Sequence, residues 1–67
     1  MSVGQRIAML RSERGMSQGE LGKSVCVSQS MIAQIERGSK IPTVVLAKDI
    51  AKALSVRITD IVEVDCE

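Results

Sequence analysis

The segment 28–37 carries the side chains best suited to recognise another molecule. A helical wheel drawn at about 100° per residue places four residues, none of them acidic, on one side: Ser30, Ala33, Gln34 and Arg37. Gln29 lies at the edge of this face, and Ile32 and Ile35 lie on the opposite side. Such a face has the chemistry that reads base edges in duplex DNA. A glutamine amide can bond adenine bidentately, a serine hydroxyl can donate or accept, and an alanine methyl can contact a thymine methyl.

The composition excludes several other kinds of site. The chain has two Cys and no His, Trp, Tyr or Phe. It therefore lacks the ligands for a four-ligand zinc site and the histidine of Ser-His-Asp and Cys-His nucleophilic sites. Without aromatic rings it offers nothing on which unpaired bases could stack, which argues against binding of single strands. The Asp and Glu residues form no convergent pair with a nucleophile, so we predict a protein that is not an enzyme and needs no cofactor or metal.

The length of the chain indicates one small domain over residues 1–67. Its charge is unevenly distributed. Residues 1–57 carry nine basic and four acidic residues, a net charge of +5, whereas residues 58–67 carry four acids and no base. A basic body suggests a polyanionic partner. The longest apolar run, Val44–Ala47, is far too short to cross a bilayer, and the N-terminus lacks an apolar signal region. We therefore predict a cytoplasmic protein with no membrane partner.

Helix start and stop signals predict an all-α fold, a compact bundle of about five short helices. The sequence Ser-Gln-Gly-Glu at 17–20 is a capping box that begins the second helix, and Ser28 and Thr43 are caps for the third and fourth. Gly15 and Gly38 mark helix ends. The predicted helices span residues 3–13, about 18–24, 29–37, 44–54 and about 58–62.

The second and third helices are so close in sequence that a tight turn must join them at a large crossing angle. That arrangement is a helix-turn-helix, whose second helix can enter a DNA major groove. The rival interpretation is a protein-interaction module or antitoxin-like partner protein that uses the same helix. A helix that binds a protein groove should show a large exposed apolar stripe. The outward face holds Ser, Ala, Gln and Arg instead, which favours DNA.

Residues 17–38, SQGELGKSVCVSQSMIAQIERG, resemble the helix-turn-helix of the phage repressor and Cro-like (XRE-type) family. The similarity extends from Arg6 to the region of Ile61 and so covers nearly the whole chain. The resemblance implies a compact five-helix domain that binds duplex DNA, usually as a homodimer on a pseudo-palindromic operator. It leaves open whether the chain is a Cro-like phage repressor, a restriction-modification controller or an antitoxin-like autoregulator.

The resemblance also implies a role for individual residues. Those that match base-contacting positions are Gln29, Ser30 and Gln34, with Ala33 and Arg37 as lesser candidates. Those expected at phosphates are Gln18, Ser28, Arg37 and Lys40. Arg11 and Glu36 match a structural pair that ties the first helix to the end of the recognition helix.

Three residues depart from the family pattern. Cys26 stands at the motif turn, where Gly is usual because the position favours a positive φ, and we interpret its thiol as a small buried group rather than a redox switch. Gly22 replaces a commoner Ala and should weaken the second helix by up to about 1 kcal/mol. Ser55 replaces the usual Gly after the fourth helix.

Three methionines are predicted to fill the core: Met9, Met16 and Met31.

The acidic end of the chain, residues 58–67, is a candidate dimerisation tail. From Val62 to Glu67 apolar and acidic residues alternate strictly, which is typical of a half-buried strand. A lone strand in a helical domain has no ladder partner, so it would pair with the same strand of a second copy. The alternative is a frayed terminus.

Overall fold

The computed structural model describes residues 2–62 as four α-helices followed by one turn of 3-10 helix. The α-helices are α1 (Val3–Glu13), α2 (Gln18–Ser24), α3 (Gln29–Arg37) and α4 (Val44–Ala53). Helix α3 contacts both α1 and α2, whereas α4 contacts α2 and the 3-10 turn. The all-helical prediction is confirmed, and the bounds of the first four predicted helices agree closely with the structure.

The predicted fifth helix is wrong in type and length, because only a 3-10 turn forms at Ile58–Asp60. Arg57 provides no side-chain cap for a longer helix. Residues 58–62 are also mostly β-branched, and such side chains lose rotamer freedom in a helix. Of the strand predicted for 62–67, only Val62 is described, and it lies in a bend; residues 63–67 lie outside the described residues. Residues 2–62 contain no strand.

Each α-helix begins at a capping hydroxyl. A side-chain oxygen accepts a hydrogen bond of 3.0–3.2 Å from the backbone N–H three residues on, at Ser2, Ser17, Ser28 and Thr43. At Ser17 the bond is reciprocated, because its own N–H donates to the Glu20 carboxylate at 2.8 Å. The predicted capping box at 17–20 is therefore confirmed. The same box at Ser2 and Gln5 was not predicted, although its Ser-x-x-Gln spacing is the known signature.

The core is aliphatic and draws on all four α-helices. Its fully buried large side chains are Ile7, Leu21, Ile32, Ile35, Ile50, Leu54 and Ile61. Met16 and Met31 pack partly buried against this core, as predicted. Met9 is 41% exposed, so the prediction that it fills the core is wrong. No helix in residues 2–62 is both long and apolar enough to cross a membrane.

The turn between α2 and α3 depends on a close backbone approach at Gly22. The Val27 N–H donates to the Gly22 carbonyl at 2.9 Å, and a Cβ on Gly22 would lie only 2.7 Å from the Val27 carbonyl oxygen. The low helix propensity of Gly22 is therefore offset, because glycine leaves room for the Val27 carbonyl group and alanine would not. Cys26 has the positive φ expected at the turn, 62°, but its side chain is exposed. The buried-thiol interpretation is wrong, because the turn directs this residue to solvent.

We predict that Gly22→Ala lowers the free energy of unfolding by about 1–3 kcal/mol, because the turn must move to accommodate the methyl group. Gly19→Ala in the same helix is the matched control. There a Cβ would make only ordinary contacts, the nearest at 3.5 Å, so the higher helix propensity of Ala should raise stability by up to about 1 kcal/mol. Urea unfolding measures both variants. A gain in stability from both would show that the turn adjusts freely.

Candidate nucleic-acid interface

Helix α3 is fixed on one side and open on the other. Ile32 and Ile35 are fully buried or nearly so and anchor α3 in the core. The residues of this region that are predicted to contact DNA differ in their exposure to solvent. Exposed residues are Ser28, Gln29, Ser30, Arg37 and Lys40, and half-buried residues are Ala33 and Gln34.

Two glutamines on this face have distinct surroundings. Gln34 Nε2 donates to Ser30 Oγ at 3.3 Å, one helical turn back along α3. The Gln29 carboxamide lies over the start of α2, where its oxygen is 3.5 Å from the point that a Cβ on Gly19 would occupy. Gln29 at the beginning of α3 and Gln34 further along therefore offer two separate amides to a ligand on this surface.

The chain folds back on itself where α3 ends. Gly38 ends the helix with a φ of 86°, which favours glycine. The N–H groups of Ser39 and Lys40 then both donate to the Gln34 carbonyl, at 2.9 and 3.3 Å. This places the Lys40 backbone against the last turn of α3, so the cations of Arg37 and Lys40 belong to the same end of the surface.

The Glu36 carboxylate turns inward and joins three helices. It accepts from Arg11 Nε at 2.7 Å and from a terminal nitrogen of the same guanidinium at 3.2 Å. Arg11 also donates to the Met16 carbonyl at 2.7 Å. The side chains of Arg11 and Glu36 are only 18% and 8% exposed. The structure thus brings together the two residues that the resemblance paired, and the only acid in the last turn of α3 is withdrawn from the open face.

Gln18 has a contact that sequence reasoning missed. Its Nε2 donates to Glu36 Oε1 at 3.0 Å, which links the start of α2 to the same carboxylate. The resemblance implies only a phosphate contact for this side chain. No local signal predicts the contact, because residues 18 and 36 meet only through tertiary packing. An amide nitrogen carries two hydrogens, so one N–H of Gln18 remains for another acceptor.

Comparison with known proteins identifies the family. Residues 7–61 match the family model described as helix-turn-helix, HTH_3. The HTH-type transcriptional regulator YgzD of Bacillus subtilis (strain 168) is 38% identical over 56 residues, which are 84% of this chain and 85% of the relative. The chain belongs to the helix-turn-helix family of transcriptional regulators. The prediction that it is not an enzyme is confirmed by this membership.

Phage repressors are among the proteins similar to this helix-turn-helix regulator. The immunity repressor of Bacillus phage phi105 is 37% identical over 62 residues, which cover 92% of this chain but 43% of the repressor. The crystal structure of the P22 c2 repressor with a synthetic operator superposes with a TM-score of 0.89 at 30% identity, over 94% of this chain and 96% of the repressor chain. The predicted resemblance to phage repressors is confirmed.

We predict that Arg11→Ala or Glu36→Ala alone lowers the free energy of unfolding by about 3–5 kcal/mol, because each leaves a largely buried charge without its partner. The paired replacement Arg11→Met with Glu36→Leu should cost less than the sum of the single changes, since it strands neither charge. Arg14→Ala, at an exposed position beyond α1, is the control and should change stability by less than about 0.5 kcal/mol.

Urea unfolding measures these differences. The structural role is contradicted by a single variant at position 11 or 36 that keeps full stability and loses only binding.

Proposed function

We propose that this chain represses transcription by binding a pseudo-palindromic operator in duplex DNA as a homodimer. The observation that carries the proposal is the open face of α3, where exposed amide and hydroxyl groups stand on a helix anchored by Ile32 and Ile35. Amides and hydroxyls at such positions read base edges, and a helix-turn-helix presents them to the major groove. The withdrawal of Glu36 keeps a negative charge away from the phosphates.

The proposed contacts divide into two kinds. Base edges are contacted by Gln29, Ser30 and Gln34, with Ala33 available to a thymine methyl. Phosphates are contacted by Ser28, Arg37 and Lys40, and by the second amide N–H of Gln18. The first set supplies sequence specificity, whereas the second positions the helix and supplies affinity that does not depend on sequence.

An apolar surface beside α4 supports the homodimer. Val44 and Val45 at the start of α4 are 71% and 70% exposed. Val45 also lines a shallow groove with Ala51 and Ile58, between α4 and the 3-10 turn, which Lys48, Asp49 and Lys52 line as well. A contiguous apolar patch on a protein surface often marks the contact site of another molecule. A second copy placed there would give the two recognition helices that a pseudo-palindrome requires.

The proposal is tested by selecting bound sequences from a random duplex pool with the full chain. We expect an inverted repeat whose half-sites are about one helical turn, or ~10 base pairs, apart. Gln29→Ala should bind that repeat more weakly by about 1–3 kcal/mol and random duplex nearly as well as before, because it loses only a base contact.

Three other outcomes would count against parts of this proposal. A folded chain that enriches no sequence would favour the protein-interaction alternative. A single half-site would contradict the homodimer. Equal losses on the repeat and on random duplex would reassign Gln29 to backbone contact.

We also predict that Lys40→Ala weakens binding to every duplex and flattens the dependence of log Kd on log salt by about one unit, because one phosphate contact and its counterion release are lost. Lys23→Ala is the matched control, since Lys23 is an exposed lysine in the last turn of α2 and should leave the slope unchanged. Binding measured between low and moderate salt gives both slopes. An unchanged slope for Lys40→Ala would rule out the contact.

A further inference from the structure

Gln34 is held both at its backbone and at the tip of its side chain. Its side chain donates to Ser30 Oγ at 3.3 Å. Its backbone carbonyl accepts from the N–H groups of Ser39 and Lys40 at 2.9 and 3.3 Å, and the next residue, Ile35, is 1% exposed. Gln34 is thus a long side chain on a fixed backbone, restrained at its tip by a neighbour on the open face of α3.

We infer that Ser30 and Gln34 act as one recognition unit that reads a single adenine, with Ser30 positioning the Gln34 carboxamide. The inference rests on the proposed DNA-binding function and deepens it. It replaces two independent base contacts by a coupled pair, and it names the base that the pair selects.

The hydrogen-bonding groups that remain free lead to adenine. A carboxamide has two N–H groups and one carbonyl oxygen. The bond to Ser30 uses one N–H and leaves the carbonyl and the other N–H. In the major groove adenine presents an acceptor, N7, beside a donor, the N6 amino group, and a glutamine amide bonds both. Guanine presents two acceptors there, N7 and O6, so the free carbonyl oxygen of the amide would face another acceptor.

The restraint supplied by Ser30 explains why the two residues should act together. A free glutamine samples many rotamers and must lose that freedom when it binds a base. The bond to Ser30 removes part of that loss in advance. Without the hydroxyl, Gln34 keeps its amide but not its orientation, so Ser30→Ala should relax selectivity at the base pair that Gln34 reads.

The experiment compares the base preferences of four proteins on the selected inverted repeat: the unchanged chain, Ser30→Ala, Gln34→Ala and the double variant. Affinity is measured for the repeat and for its single base-pair substitutions. We expect both single variants to lose discrimination at the same A·T pair, by about tenfold for Gln34→Ala, and the double variant to lose no more than Gln34→Ala. Ser12→Ala, which removes an exposed hydroxyl of α1, is the control and should keep the full preference.

A further variant tests the identity of the base. Gln34→Glu replaces the amide by a group that only accepts, so Ser30 can donate to it while the remaining oxygen accepts from cytosine N4. We expect the preference at that pair to shift from adenine to cytosine. Thermal unfolding of each variant confirms that it is folded at the temperature of the assay.

The outcomes separate this inference from the function on which it rests. If the unchanged chain enriches no sequence, the proposed function and the inference both fail. If it enriches a repeat, but Ser30→Ala and Gln34→Ala relax two different base pairs with losses that multiply in the double variant, only the coupled unit is overturned. A shared position that selects a base other than adenine overturns it as well.

Discussion

The buried carboxylate of Glu36 is the interaction on which the recognition surface depends. It accepts hydrogen bonds from Arg11 of α1 and from Gln18 of α2, so the three helices of that surface converge on one charge. A carboxylate near the C-terminal end of a helix is unfavourable beside the helix dipole, and burial makes it more so. The two hydrogen bonds from the Arg11 guanidinium offset the cost of the helix dipole and the cost of burial. The same contact turns the acid away from the face that the proposed function directs at phosphates.

Close approaches of backbone to backbone complete the placement of α3. Gly4 is buried at the start of α1, and a Cβ there would overlap the Ile35 carbonyl oxygen and lie 2.9 Å from that of Glu36. Gly22 admits the Val27 carbonyl in the same way. In an aliphatic core without aromatic rings, these fits and the Glu36 contacts set the orientation of α3 more sharply than apolar burial, which is not directional.

The sequence predicted the elements whose causes are local. Capping hydroxyls such as Ser17 and Ser28 determine where helices begin, and Gly38 determines where α3 ends, so those bounds follow from short patterns. The open face of α3 follows from helical periodicity in the same way. The exposure of Met9 and Cys26, the Gln18–Glu36 contact and the fit at Gly22 depend on which surfaces meet in three dimensions. Residue type and spacing carry no information on that.

The most direct measurement is an NMR titration of isotope-labelled protein with the selected duplex, followed through backbone amides and glutamine side-chain NH2 groups. If the open face of α3 binds the major groove, the largest shift changes will fall on residues 28–40 and on the side chains of Gln29 and Gln34. The signals of Ser12 and Glu13, exposed residues at the end of α1, will change little, whereas shifts on α4 report the proposed dimer contact. Glutamine side-chain signals that stay unaffected when the duplex is saturating would contradict the proposed interface.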